Sequence, residues 1–147
     1  MRVCESLLLT CLVCLTYGAV LQDCGSTAKD ILIHISGCPD SEPVCVFTAG
    51  QLATIKATFR STSPIESASI KLWGVVGPAQ VAFPLTPSDA CGKWGLKCPS
   101  APGARQTLKI DVPIDAGYPK IKVGVKMELV TDKGEKLICK SVPVEIK

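Results

Sequence analysis

The sequence predicts an all-β domain built as a sandwich of two antiparallel sheets. Three observations point there. Apolar and polar residues alternate in about seven separate runs, the period-two sign of half-buried strands. Clusters of Gly, Pro, Ser and Asp punctuate those runs, and no stretch of useful length carries helical spacing. The cysteine count fits a small exported domain held by disulfides.

In chain order, Ile31, Ile33 and Ile35 alternate with Leu32 and His34. Ala53, Ile55, Ala57 and Phe59 alternate with Thr54, Lys56, Thr58 and Arg60. Ala68, Ile70 and Leu72 follow, then Ala79, Val81, Phe83 and Leu85. Leu108, Ile110, Val112 and Ile114 alternate with Lys109, Asp111 and Pro113. The cleanest run sets Ile121, Val123, Val125, Met127 and Leu129 against Lys120, Lys122, Gly124, Lys126 and Glu128. The last strand changes phase, with Leu137 and Cys139 on one parity and Val142, Val144 and Ile146 on the other, so a bulge is expected near Ser141. Turns are expected at Pro39–Pro43, Ala49-Gly50, Ser61–Pro64, Gly77-Pro78, Pro99–Gly103, Gly117–Pro119 and Asp132-Lys133-Gly134. The inter-sheet Cys…Trp…Cys pattern of immunoglobulin domains is missing, so the sandwich is immunoglobulin-like in layout only.

The first residues read as a secretory signal peptide: Met1-Arg2, an apolar stretch from Leu7 to Val13, and small residues at Gly18 and Ala19. The division is therefore a signal peptide at 1–19 and one domain at 20–147. Six cysteines lie in the domain. Six allow 15 connectivities; spacing favours Cys38–Cys45 and Cys91–Cys98 as local bridges, leaving Cys24–Cys139 to join the two ends. The formal net charge is +3, too mild to indicate nucleic acid. Lys120, Lys122 and Lys126 form a row that keeps a sheet face soluble or docks it on an anionic partner. The chain has no Asn, hence no N-glycan acceptor.

Little in the sequence carries reaction chemistry. His34, the one histidine, alternates outward, and no motif surrounds it. There is no phosphate-binding glycine loop, metal-ligand cluster or catalytic carboxylate signature, so no catalytic residue, metal or cofactor is expected. The inward residues are apolar and uncharged, among them Phe59, Phe83 and Met127. Periodicity alone does not distinguish a filled core from sheets that splay around a dry pocket. The stretch Phe83–Pro99 resembles the mouth of such a pocket. Pro84 and Pro87 stop strand pairing there, and Trp94 sits between Cys91 and Cys98, either covering an opening or packing locally.

Several short motifs occur in order along the domain. They are Asp23-Cys24-Gly25-Ser26, Pro43-x-Cys45 followed by Gly50, and Phe83-Pro84-Leu85-x-Pro87 before Cys91. Cys98-Pro99, Val112-Pro113-Ile114 before Tyr118-Pro119, and Cys139-x-x-Val142-Pro143-Val144-x-Ile146 complete the set. Together they resemble the ML lipid-recognition family, and within it the secreted Niemann-Pick type C-two sterol carriers, including the arthropod-like branch. The resemblance implies a sandwich whose sheets part to hold one lipid, with the same three disulfides. It implies Phe83, Ile114 and Tyr118 at the pocket mouth, and the inward apolar set makes Val81, Val123, Val125, Met127 and Phe59 the expected lining. Two family tryptophan positions carry Met127 and Lys140 here.

The expected function is that of a secreted, non-enzymatic, monomeric carrier of a sterol or long-chain fatty acid. Contact with a membrane or lipid transporter would be transient, and lysosomal sorting by a glycan is not expected. Two alternatives stand beside it: a chemosensory carrier of semiochemicals, and an immunoglobulin-like interaction module in innate immune recognition of lipids.

Overall fold

The computed structural model describes residues 21–38 and 43–147. The expected signal peptide and most of the turn between Cys38 and Cys45 lie outside the described residues. The described residues form nine strands and no helix: β1 (Gln22–Asp23), β2 (Lys29–Ile35), β3 (Cys45–Phe47), β4 (Leu52–Arg60), β5 (Ala68–Val76), β6 (Ala79–Phe83), β7 (Arg105–Pro113), β8 (Lys122–Thr131) and β9 (Lys136–Ile146). They build two sheets of unequal width. The wide one runs β1-β9-β8-β5-β6, with β3 beside β9; the narrow one runs β2-β4-β7.

All pairings are antiparallel except β3 with β9, a three-residue parallel contact that the alternating runs did not foretell. A run of three residues is too short to show a period of two. In the narrow sheet Ile35, Ile55 and Ile110 stand side by side across three strands. In the wide sheet Val142, Val125 and Gly74 do the same. Directly paired residues point to the same face, so these rows meet between the sheets. Phe59, Leu108, Ile110, Leu129, Ile138 and Val144 are fully buried there, each contributing about 1.5–3 kcal/mol by burial.

The bulge in β9 is not at Ser141. Leu129 pairs with Ile138 but Val130 pairs with Lys136, so Leu137 is the extra residue. From Ile138 onward the phase is unbroken, and Ile138, Lys140, Val142, Val144 and Ile146 share the inner face. Cys139 faces the other way, opposite Glu128, and is buried by its bridge to Cys24 rather than by the core. An apolar reading of a bridged cysteine therefore assigns the wrong phase.

The three disulfides are Cys24–Cys139, Cys38–Cys45 and Cys91–Cys98. The first joins β9 to the residue after β1, where the Cys24 N–H also donates to the Cys139 carbonyl at 2.9 Å. The second ties the turn that follows β2, in the narrow sheet, to β3 in the wide one.

Polar groups fasten the sandwich at the hairpin between β8 and β9. Glu135 accepts hydrogen bonds from the Ser63 hydroxyl at 2.6 Å and the Thr27 hydroxyl at 2.7 Å, linking three separate turns. These two bonds hold its carboxyl below the ordinary value. Burial pushes the Glu128 carboxyl up. Hydrogen bonds from Lys136 and Trp73, and the charges of Lys136 and Lys126, outweigh that push and leave it lowered. A carboxylate with a lowered pKa contributes stability that is complete above its ordinary value, 4.5 here, and is lost as pH falls through the lowered one. Both contributions are therefore intact at pH 5 and fade in more acidic solution. Urea unfolding across a pH series is expected to show the midpoint falling below about pH 4.5. Glu135→Gln is expected to cost about 1 kcal/mol at neutral pH and to make that acid decline shallower.

Candidate functional site

The interior holds two small apolar voids on either side of a shared wall. The first, about 10 Å³, is bordered by Phe47, Ile55, Leu72, Phe83, Val112, Ile114, Tyr118, Val125 and Ile146. The second, about 20 Å³, is bordered by Leu21, Ile33, Ile35, Phe47, Ile55, Val125, Met127, Lys140 and Val142. Each has room for about one water, far below the roughly 300–1,000 Å³ of a small-molecule pocket. Phe47, Ile55 and Val125 border both, so these three side chains are what separates the voids. The sheets are thus packed close, and a ligand between them needs side chains or sheets to move.

Phe83, Ile114 and Tyr118 come together at one end of the first void. Phe83 ends the pairing of β6 with β5, and Pro84 prevents its continuation. Its half-buried ring lies 5.6 Å from that of Tyr118, centroid to centroid, tilted by 32°. Tyr118 is set by a tight turn in which the Asp115 carboxylate accepts the Gly117 N–H at 2.7 Å and the Asp115 carbonyl accepts the Tyr118 N–H at 3.0 Å. Ile114 is buried, and its backbone is fixed on both sides: its N–H donates to the Gln51 carbonyl at 2.9 Å, and its carbonyl accepts the Gly50 N–H at 2.6 Å. Gly50 has a φ of 85°, the left-handed region that glycine adopts without strain.

Other sequence-based expectations divide. Val125 and Met127 border the voids. Val123 is buried but borders neither; it packs beside Gly74 near Phe83. Phe59 is fully buried and also borders neither void; it belongs to the filled part of the core. Val81 departs further. Its pairing with Gly74 gives it the inward parity, yet it is 61% exposed, because β6 is the edge of the wide sheet and the narrow sheet does not extend over it. Ile121 is exposed too, ahead of the first residue of β8.

Trp94 is not at the opening. It is buried, and its indole N–H donates to the Pro87 carbonyl at 2.7 Å while its own carbonyl accepts the Lys109 N–H at 2.9 Å. Those bonds clamp the loop after β6 against β7. On the outer flank an open groove of about 460 Å³ runs past Trp94, Leu52, Pro84 and Pro113, outside the sandwich.

Two contributors went unread in the sequence. Phe47 borders both voids from the three-residue β3, which carries no periodic signal. Gly74 interrupts the Ile70, Leu72 series, and a Cβ there would lie 3.1 Å from Phe83 Cζ. A lone glycine inside an alternating strand is a sign of such close approach.

Among the described residues, no group of three or more His, Cys, Asp or Glu is placed to hold a metal ion, and no helix is long and apolar enough to cross a membrane. What this interior offers is dry, mostly aliphatic surface with two aromatic rings at one margin. A sandwich of this shape defines a class of apolar-interior domains. The chain belongs within it to the ML domain family (E1_DerP2_DerF2), which matches residues 18–146.

It is 34% identical over 125 residues to the ecdysteroid-regulated 16 kDa protein of Manduca sexta, covering 84% of this chain and 86% of that one. It is 33% identical over 127 residues to the NPC intracellular cholesterol transporter 2 of Bos taurus, covering 86% and 83%. A crystal structure of a Niemann-Pick type C2 protein from the Japanese carpenter ant superposes with a TM-score of 0.81 at 27% identity, over 87% of this chain and 99% of that one.

The two phenylalanines expected at the site stand in different surroundings, and denaturant unfolding distinguishes them. Phe59→Ala is expected to cost about 3–5 kcal/mol, the range for a fully enclosed ring. Phe83→Ala, at the half-buried margin, is expected to cost under about 2 kcal/mol.

Proposed function

We propose that the protein is an exported, non-enzymatic carrier that takes one sterol or long-chain fatty acid between its two sheets. Residues 1–19 act as the signal peptide, Phe83, Ile114 and Tyr118 form the opening, and Val125 and Met127 line the interior. The observation that carries this reading is the pair of apolar voids meeting at Phe47, Ile55 and Val125. Moving that wall merges them into one channel. The name of the bovine relative, a cholesterol transporter, supports a sterol as one cargo.

The energetics suit such a role. Each CH₂ that leaves water is worth about 0.8 kcal/mol, so a long chain or a sterol nucleus can drive the wall aside without a strong polar anchor. The carrier acts as a monomer and meets its donor or acceptor membrane, or a lipid transporter, in passing.

The test is native mass spectrometry of the protein secreted from a eukaryotic host, with competition between a fluorescent sterol and a fluorescent fatty acid. A one-to-one lipid adduct and saturable displacement are expected. Val125→Phe fills the shared wall and is expected to weaken both probes at least about tenfold, the equivalent of roughly 1.4 kcal/mol, while the protein stays folded by circular dichroism. No adduct and no saturable binding would replace the carrier with an interaction module whose core is permanently filled.

A further inference from the structure

One lysine breaks the apolar chemistry of the inner faces. Lys140 stands on β9 between Ile138 and Val142, on the inward face and opposite Met127 of β8. It borders the second void with Ile33, Ile35, Met127 and Val142, and among the described residues no other charged side chain borders either void. Its side chain is 22% exposed. Lysine at such a site lays its aliphatic stem along the apolar wall and carries its ammonium to the rim.

At the rim the ammonium meets Asp23, its neighbour on β1, at 3.4 Å from Oδ1. That is long for a charge-assisted bond, which runs about 2.7–2.9 Å. The other carboxylate oxygen of Asp23 already accepts the Gly25 N–H at 3.0 Å and the Ser26 N–H at 3.3 Å. An ammonium has three donors, and this loose pair leaves donor capacity beside an apolar void.

The register then supplies a track. Asp23, Lys140, Met127, Leu72 and Phe83 are successive cross-strand partners over β1, β9, β8, β5 and β6. From Lys140 to Phe83 is three interstrand steps of about 4.8 Å, roughly 14 Å. It runs from the cation at one margin of the sandwich to the aromatic pair at the other.

We infer that Lys140 binds the carboxylate of an acyl lipid whose chain lies along this row, past Met127 and Leu72 toward Phe83. The inference rests on the carrier reading and adds to it the orientation of the ligand and its head-group class. A fatty acid is preferred over a neutral lipid of the same length, because its carboxylate offers the ammonium a charged acceptor where an alcohol offers only a neutral one. Asp23 is the competing carboxylate, so it moderates the preference.

Binding of oleic acid, oleyl alcohol and cholesterol to the full secreted protein at neutral pH tests this. The wild type is expected to favour the acid over the alcohol by about tenfold. Lys140→Met should erase that ratio while alcohol affinity is retained, Lys140→Arg should restore it, and Asp23→Asn should raise acid affinity about threefold. Equal binding of acid and alcohol by the wild type overturns the inference, as does an acid preference that persists in Lys140→Met. Should Lys140→Met fail to fold, acid affinity unchanged in Asp23→Asn overturns it instead. Cholesterol bound with the acid ignored also defeats the inference but leaves the carrier standing. If none of the three lipids binds, the carrier reading fails and this inference falls with it.

Discussion

The unequal width of the two sheets constrains everything else in this domain. A path of five strands, with β3 alongside, faces three. Where the narrow sheet covers the wide one, Phe59, Leu108, Ile110 and Leu129 are sealed and the packing is that of an ordinary core. Beyond its margins the inner face of the wide sheet continues uncovered. Val81 has the parity of a core residue and the exposure of a surface one for that reason. Phe83 and Lys140 occupy opposite margins, each partly sheltered. The voids lie inboard of those margins.

This also explains how far the sequence could be read. Alternation located all seven of the longer strands; in six of them it reflects one sheltered face, whereas β6 keeps the pattern although only Phe83 on it is partly sheltered. The disulfide pairing followed from spacing, because two of the three bridges span seven positions. The misses have other causes. How far the opposing sheet reaches is a long-range property, so local parity placed Val81 inside. Phe47 lies on a strand too short to have a period, and Cys139 is buried by a covalent partner, which shifted the apparent bulge from Leu137 to Ser141. Trp94 was ambiguous because an indole in a loop serves an opening or a clamp equally well until its N–H partner, here the Pro87 carbonyl, is known.

Magnitudes favour a sandwich that closes on itself. A void of about 300 Å³, the lower end for a ligand pocket, costs about 7 kcal/mol at roughly 24 cal/mol per Å³. That is comparable to the whole stability of a domain, about 5–15 kcal/mol. Apolar side chains meeting at the wall of Phe47, Ile55 and Val125 avoid that cost. Ten CH₂ groups of a lipid return about 8 kcal/mol on burial, which is enough to offset the contacts that separate. Under the proposed carrier reading, uptake is an exchange of one apolar packing for another, not the filling of a standing hole.

Where the exchange can happen is set by covalent ties. The Cys38–Cys45 bridge joins the turn after β2, of the narrow sheet, to β3 in the wide one, so the sheets are pinned near that corner. Cys24–Cys139 stiffens the same side by holding the residue after β1 against β9. On the opposite side no disulfide joins the two sheets among the described residues: the loop after β6 is held to β7 by hydrogen bonds at Trp94 and Gln106, and Phe83 packs against Tyr118, with Ile114 behind them. Rings at a half-buried margin reorient without breaking backbone hydrogen bonds, and Gly74 leaves the Phe83 ring the space of a missing Cβ. Under the proposed carrier reading the covalent ties make the Lys140 side the fixed one, and the aromatic pair on the Phe83 side is where packing can give way without breaking a disulfide. A chain entering past the aromatic pair would reach the fixed, charged side last.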